Sequence, residues 1–244
     1  MQSKVHASFA DALSDVKDGS SIFLAGFGPG TPHNLIDALH KQGARDLTLI
    51  ANALGGGSGL QRNDQYATVA NLIEDRRVGG VIASFTAATH ASQHSPLEEL
   101  VTAGLVKTEI VPQGTLAERI RAGGSGIPAF FTPAGVGTEI ADGKELRDFN
   151  GRTYVMEEAL TADYAFLRAW KADEFGNLIF RRAQRNFNPL MAQAADCTIV
   201  EVEELVPTGS QDPVHIHTSG IWVQRIVQIP PEAQGGIWHP VRTV

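Results

Sequence analysis

Residues 21–51, SIFLAGFGPGTPHNLIDALHKQGARDLTLIA, decide the fold. Residues 21–25 are apolar and stop at a glycine, which predicts a short buried strand. Thr31 as N-cap and Pro32 as first helical residue then predict a helix that ends at the next glycine. Residues 47–51 predict a second strand. Strand, glycine loop, helix and strand in this order indicate a βαβ unit with a parallel sheet.

The alternation of helix and strand continues through the first half of the chain. Helical patterns are predicted at residues 69–77, 97–103 and 115–122, with strands at residues 81–85 and 106–111. Residues 123–138 are rich in glycine and also contain proline, which predicts a long loop.

The second half of the chain is richer in strand patterns. Strands are predicted at residues 154–156, 165–170 and from residue 198, with a short helix at residues 188–195. Glu201 and Glu203 alternate with valines, so we expect both to point to solvent from a half-buried strand. The fold class is therefore α/β: an open, mainly parallel sheet flanked by helices, with a β-rich second half. We predict one domain over residues 1–230 and a tail over residues 231–244 that is mobile or contacts a partner chain.

Composition excludes several classes of protein. The 244 residues are 43% hydrophobic and 19% charged, too apolar for a disordered chain. The formal net charge of −7 disfavours nucleic-acid binding, which needs a basic surface. No apolar run approaches the roughly 20 residues of a membrane span, and we expect no signal peptide and no membrane partner. The single cysteine, Cys197, excludes an internal disulfide framework and fits a reducing compartment, so we expect a cytoplasmic protein.

A glycine-rich loop after the first predicted strand is the first candidate site, comprising Gly26, Phe27, Gly28, Pro29, Gly30, Thr31 and Pro32. Backbone N–H groups of this loop and the N-terminus of the next helix can hold a phosphate or another anion. Tight turns explain the same glycines equally well. The loop does not match a dinucleotide fingerprint, because Thr31 replaces the last glycine and no acidic residue ends the second strand.

Other catalytic patterns are missing from the sequence. No G-x-S-x-G elbow, no Walker loop and no H-E-x-x-H motif occur. His90 and His94 are four residues apart and His215 and His217 two apart, but neither pair has a third ligand, so we expect ordinary histidines and no metal site. Cys197 adjoins a β-rich run and is expected to be a core residue. From its residues alone, the chain is an anion-binding α/β scaffold without a visible nucleophile.

Gln113 is the second candidate site residue. It follows a predicted parallel strand within the sequence PQGT, where open α/β sheets place ligands. Its amide can donate a hydrogen bond to a carbonyl oxygen that develops negative charge. A cap for the helix that begins near Thr115 explains Gln113 as well, and from the residues alone the cap is the preferred explanation.

Four stretches of the chain, in this order, resemble the α (or A-type) subunit of the family I (3-oxoacid-type) CoA-transferases. They are GFGPGTP with LIDAL within residues 26–39, VPQGTLAERIRAGG and its continuation over residues 111–138, KAD, GNL and RNFNP within residues 171–189, and SGIWVQRIV at residues 219–227. The second stretch is the most specific, and the four together span roughly residues 5–228.

The resemblance implies a CoA-transferase (NagB/RpiA-like) fold and a related β subunit as partner, commonly in an α2β2 assembly. It implies ping-pong transfer of CoA from an acyl-CoA such as succinyl-CoA to a 3-oxo acid, acetoacetate or 3-oxoadipate. CoA thioesters are then substrates, and no permanently bound cofactor is implied. The nucleophile of the family is a glutamate of the β subunit in a Glu-Asn-Gly-type motif, which this sequence does not contain. The resemblance assigns Gln113 to oxyanion support and the loop from Gly26 to Pro32 to CoA binding.

The sequence departs from the family at three places. The glycine loop is one residue shorter than usual, residues 55–95 look unlike other members, and Thr218-Ser219-Gly220-Ile221 replaces the usual Thr-Pro-Gly-Ile. Two alternatives stay open beside the transferase. One is a non-catalytic module of the same fold that binds a small anion or a CoA ester, and the other is one subunit of a CoA-ester hydrolase.

Overall fold

The structure, a computed structural model, describes residues 3–26, 28–54, 66–87 and 95–233. The α-helices in these ranges are α1 (Phe9–Ala12), α2 (His33–Gln42), α3 (Val69–Glu74), α4 (Pro96–Thr102), α5 (Gln113–Gly124) and α6 (Asn188–Ala194). The strands are β1 (Ser21–Leu24), β2 (Leu47–Ala53), β3 (Val78–Phe85), β4 (Lys107–Ile110), β5 (Ala129–Thr132), β6 (Leu146–Phe149), β7 (Arg152–Glu158), β8 (Ala162–Asp173), β9 (Leu178–Ile179), β10 (Ala195–Val206) and β11 (Arg225–Gln228).

Seven strands form a parallel sheet in the order β11-β10-β8-β1-β2-β3-β4, and β9 pairs antiparallel with β8. The central strand is β1, whose Phe23 pairs with Ile50 of β2 and with Ala165 of β8. The predicted open, mainly parallel sheet and its first βαβ unit are confirmed. The carboxyl ends of all seven strands lie at one edge, where sheets of this kind bind ligands.

Helices pack against both faces of the sheet. One face packs against α2, α3 and α4 through residues such as Leu35 and Leu72, which are fully buried. The other face packs against α5 and α6 through residues such as Leu116 and Met191, also fully buried. Because helices cover much of both faces, a polar side chain within a strand can lie beneath a helix, whereas β4 at the edge of the sheet exposes Lys107 and Ile110.

A second, antiparallel sheet in the order β5-β7-β6 corrects the long loop predicted at residues 123–138. Within that stretch, Ala129–Thr132 forms β5, and its Phe131 pairs with Met156 of β7. Two consecutive phenylalanines favour a strand, but the strand forms by pairing with residues more than twenty positions later in the chain. Local glycine and proline content therefore predicts the turns around β5 and misses the strand.

The beginnings of two helices differ from the prediction. Helix α2 begins at His33 with Pro32 as its N-cap residue, because the Thr31 hydroxyl donates to the Gly28 carbonyl oxygen at 2.9 Å instead of capping the helix. Helix α5 begins at Gln113, two residues before the predicted start at Thr115.

The end of the chain lies mostly outside the described residues. Pro231–Ala233 forms a single 3-10 turn, and the proposed tail from residue 234 onward falls in the part that the structure does not describe. The single domain over residues 1–230 and its tail thus stay a prediction. Among the described residues, none of the helices is long and apolar enough to cross a membrane.

Candidate active site

Two amide side chains meet at the carboxyl edge of the sheet. Asn52 is the last residue but one of β2, and Gln113 begins α5 just after β4. The Gln113 Nε2 atom donates to Asn52 Oδ1 at 2.7 Å. Asn52 is fully buried whereas Gln113 is exposed, so this amide pair runs from the core to the surface. Sequence reasoning missed Asn52, although an asparagine at the end of an apolar strand was a signal.

Gln113 does not cap its helix, so the preferred explanation from the residues alone is wrong. The N-cap of α5 is Pro112, and among the described residues no side chain accepts a capping hydrogen bond there. Gln113 is already inside the first turn, and its side chain reaches sideways to β2 rather than back over the helix end. The amide thus lies at the carboxyl edge of the sheet.

Two glycines of the loop before α2 serve the packing of the chain itself. A Cβ atom at Gly26 would lie 2.7 Å from the Thr31 backbone nitrogen. A Cβ atom at Gly30 would lie 2.6 Å from the Gln184 carbonyl oxygen, and both glycines have positive φ. The tight-turn explanation therefore accounts for these two glycines, while Phe27 lies outside the described residues.

The N-terminus of α2 is occupied by a carboxylate of the chain, which corrects the expected open anion site. Glu201 Oε2 accepts from the Leu35 backbone N–H at 2.9 Å, and Glu201 Oε1 accepts from the Asn34 side chain at 3.2 Å. Arg168 Nη1 lies 3.2 Å from the same Oε1 atom. An external anion would have to displace Glu201 from this helix end, so an anion bound at this loop must contact the loop amides instead.

The solvent-facing orientation expected for Glu201 and Glu203 is also wrong. Glu201 has no exposed surface, and the Glu203 side chain is mostly buried between Arg168 and Arg181. The alternation with valine is real, but on the face opposite those valines Glu201 lies beneath α2, and Glu203 is covered by Arg168, Arg181 and Gln184. Burial raises the pKa of Glu201, while Arg168 and the amides of α2 oppose that rise.

His33, the first residue of α2, is held neutral next to this ion pair. It is buried, and its ring lies 5.5 Å from that of Tyr66, centroid to centroid. Burial lowers the pKa of His33 from 6.5 to about 4, and the charge of Arg168 acts in the same direction. At neutral pH His33 therefore adds no positive charge to this corner of the protein.

The other residues singled out in the sequence lie elsewhere. His217 Nδ1 accepts from the Phe180 backbone N–H at 3.0 Å, and the two rings stack. Cys197 is partly buried against the core, and burial raises the pKa of its thiol. His90 and His94 fall outside the described residues. Within the ranges that are described, no group of three His, Cys, Asp or Glu side chains is placed to hold a metal ion.

The fold and the amide pair define an open α/β domain with hydrogen-bonding side chains at the carboxyl ends of its strands, the edge at which sheets of this kind bind ligands. The family model described as Coenzyme A transferase matches residues 6–228. The chain is 46% identical to the A subunit of the probable succinyl-CoA:3-ketoacid coenzyme A transferase of Bacillus subtilis, over 92% of this chain and 89% of that one. It is 45% identical to the A subunit of the 3-oxoadipate CoA-transferase of Pseudomonas putida, over 97% and 98%. The chain therefore belongs to the coenzyme A transferase family.

In some longer relatives, only one part of the protein corresponds to this chain. It is 40% identical to the mitochondrial succinyl-CoA:3-ketoacid coenzyme A transferase 2A of Mus musculus, over 90% of this chain but 43% of that one. Among solved structures, an acyl-CoA transferase from Escherichia coli O157:H7 superposes with a TM-score of 0.77 at 21% identity. That match covers 98% of this chain and 49% of the other, so this chain spans about half the length of the solved protein. The structural likeness establishes the shared fold.

Replacing Glu201 by alanine should destabilise the protein strongly. The change leaves Arg168 with less compensation inside the protein and removes the acceptor of the Leu35 amide, so we expect a loss of about 3 kcal/mol or more in the free energy of unfolding. Urea denaturation measures it. Glu204→Ala is the control, because Glu204 lies on the same strand as Glu201 but forms an exposed ion pair with Lys171. It should lower the free energy of unfolding by less than about 1 kcal/mol. Equal, small losses in both variants would show that the buried pair does not hold α2.

His33 should make the protein sensitive to acid. Between pH 6.5 and about 4 the unfolded chain binds a proton at His33 that the folded chain does not, so the free energy of unfolding falls as pH is lowered. His33→Gln removes this proton, and wild type should lose up to about 3 kcal/mol more than the variant across that range. Urea denaturation at a series of pH values measures the difference. The same pH dependence in His33→Gln as in wild type would contradict the account.

Proposed function

We propose that the chain is the α subunit of an enzyme that moves CoA from succinyl-CoA to a 3-oxo acid, acetoacetate or 3-oxoadipate. The observation that carries the proposal is the Gln113 amide, which a buried partner holds at the carboxyl edge of a CoA-transferase fold. The names of the Bacillus subtilis and Pseudomonas putida relatives support the donor and the two candidate acids.

The proposed reaction uses a glutamate of a partner β subunit as nucleophile. Its carboxylate attacks the carbonyl carbon of the acyl-CoA thioester, and the carbonyl oxygen becomes an oxyanion that accepts a hydrogen bond from Gln113 Nε2. Collapse of this intermediate expels the CoA thiolate and leaves an acyl-glutamyl anhydride. The thiolate then attacks the glutamyl carbonyl, which releases the first acid and gives an enzyme–CoA thioester. The carboxylate of the 3-oxo acid repeats these steps in reverse and leaves with CoA.

A separate partner chain is supported by two observations. Both bacterial relatives are named as the A subunits of their enzymes, and the Mus musculus relative has a further part to which this chain does not correspond. The sequence also contains no Glu-Asn-Gly motif that could supply the nucleophile. We propose an α2β2 assembly in the cytoplasm, a compartment that suits a chain with a single cysteine.

The loop from Gly26 to Pro32 is proposed to contact the CoA thioester through its backbone. Because Glu201 already occupies the end of α2, these contacts are assigned to the amides of the loop itself and not to the helix end. CoA enters as a substrate, and the proposal needs no permanently bound cofactor.

Co-expression with a CoA-transferase β subunit tests the proposal as a whole. The two chains should co-purify, and the pair should consume succinyl-CoA when either 3-oxo acid is added, while each chain alone should be inactive. The acid with the higher kcat/KM identifies the physiological reaction. A pair that binds CoA esters without exchange would favour a binding module, and release of free CoA without an acceptor would favour a hydrolase.

Gln113→Ala should lower kcat of the assembled pair by about 10²–10³, because one donor to the oxyanion is lost. The exchange rate of succinyl-CoA with the preferred acid measures this change. Glu118→Ala is the control, since Glu118 lies on the exposed surface of the same helix and pairs with Arg121. A loss of less than about threefold in Gln113→Ala would remove Gln113 from the reaction.

Gly28→Val should weaken binding of CoA esters by narrowing the loop. The substitution also strains a backbone with φ of +78°, so it needs a control with the same strain. Gly19→Val provides one, because Gly19 has φ of +80° and open space around it, in the turn before the amino end of β1. Calorimetry should show weaker CoA binding for Gly28→Val and unchanged binding for Gly19→Val. Equal CoA affinities of the two variants would restrict the loop to a structural role.

A further inference from the structure

The buried member of the amide pair has a hydrogen-bond donor left over. Asn52 is fully buried, and its Oδ1 atom accepts from Gln113 Nε2. Its Nδ2 atom has no hydrogen-bond partner among the residues that the structure describes. A buried amide donor without an acceptor costs free energy, so such a group inside a protein calls for an explanation. This one lies next to the proposed oxyanion donor.

The pair can exist in two hydrogen-bonding arrangements. An amide oxygen and an amide nitrogen are nearly equal in size, so a half-turn of each terminal amide exchanges donor and acceptor without moving the rest of the side chains. In the arrangement described above, Gln113 Nε2 donates one of its two N–H groups to Asn52 Oδ1, and Gln113 Oε1 takes no part in this hydrogen bond. In the exchanged arrangement Asn52 Nδ2 donates to Gln113 Oε1, and Gln113 Nε2 keeps both N–H groups for a ligand.

We propose that Asn52 is the positioning residue that leaves both N–H groups of Gln113 for the ligand in the reacting complex. This inference rests on the proposed function, because an oxyanion attracts the N–H groups of Gln113 and repels its Oε1 atom. When the oxyanion forms, the exchanged arrangement satisfies it and also gives Asn52 Nδ2 the acceptor that it lacks. Asn52 thereby acts on the substrate through Gln113 and not by contact.

A second buried group supports the exchanged arrangement. Ser84 lies opposite Asn52 on the neighbouring strand β3, because Ala51 pairs with Ala83 and Ala53 with Phe85. Its hydroxyl is buried and has no hydrogen-bond partner among the described residues. Residues at one register of neighbouring strands share a face of the sheet, so a hydroxyl donor lies beside Asn52 once Oδ1 is released by Gln113. Donors would then run outward from Ser84 through Asn52 to Gln113.

Two substitutions at Asn52 separate a donor from an acceptor role. Asn52→Asp keeps an acceptor for Gln113 Nε2 but cannot donate to Oε1 when ionised, so it holds Gln113 in the arrangement in which one of the two Nε2 N–H groups is already engaged. Asn52→Ala removes the contact altogether. In the assembled pair we expect Asn52→Asp to lower kcat by about 10-fold, less than Gln113→Ala does because one N–H group of Gln113 remains, with KM for both substrates changed less than about threefold.

The decisive comparison is made in the Gln113→Ala background. If Asn52 acts through Gln113, then neither Asn52→Asp nor Asn52→Ala lowers kcat further once Gln113 is gone. Losses that multiply would mean that Asn52 acts on the substrate directly, and wild-type kcat in Asn52→Asp would mean that it positions nothing; both results overturn the inference. Thr48→Val, four residues earlier on β2, is the control for disturbance of the strand.

Failure of the inference can be told apart from failure of the proposed function. A wild-type pair that transfers CoA while Asn52→Asp remains fully active contradicts the positioning role alone. A wild-type pair that transfers no CoA contradicts the proposed function, and the inference falls with it. Thermal melting and co-purification with the β subunit test for a folding defect. A purely structural role of Asn52 would lower the melting temperature and the yield of the pair, and it would change KM as well as kcat.

Discussion

The buried ion pair between Arg168 and Glu201 is the interaction that fixes the start of α2, the helix that follows the glycine loop. It joins two neighbouring strands, and the Glu201 carboxylate also holds the first turn of α2 through the Leu35 amide. The glycine loop lies directly before that turn, so its position follows from a charge buried beneath the helix. An ion pair of this kind contributes little net stability compared with an apolar pair, but it specifies one geometry for the residues around it.

At the carboxyl edge of the sheet, the two faces carry different kinds of polar group. On the face covered by α2, charged groups of the chain satisfy one another and hold the first turn of that helix in place. On the face covered by α5, the Gln113 amide reaches the surface from a buried, neutral anchor. A neutral donor suits a reaction in which a carboxylate from another chain must approach, because it stabilises developing negative charge without trapping the nucleophile as an ion pair.

Sequence patterns predict what depends on local periodicity. Buried parallel strands are apolar runs, so β1, β2 and β3 can be located from the sequence, and the motif around Gln113 singles out that residue. The patterns fail where the partner is distant in the chain. The alternation of Glu201 with valines shows only that it lies on the opposite face of the strand. It does not show that a helix covers that face, so it wrongly predicts a solvent-exposed side chain. The place of Asn52 in the site cannot be predicted from its neighbours in sequence, because it depends on a hydrogen bond with Gln113, 61 residues later.

The central claim is that this chain supplies the oxyanion donor while a partner chain supplies the nucleophile. Mass spectrometry of the assembled pair after incubation with succinyl-CoA, without an acceptor acid, tests it most directly. The account predicts a covalent CoA adduct on a glutamate of the partner and none on this chain. An adduct on this chain, or rapid transfer without an adduct on either chain, would contradict it.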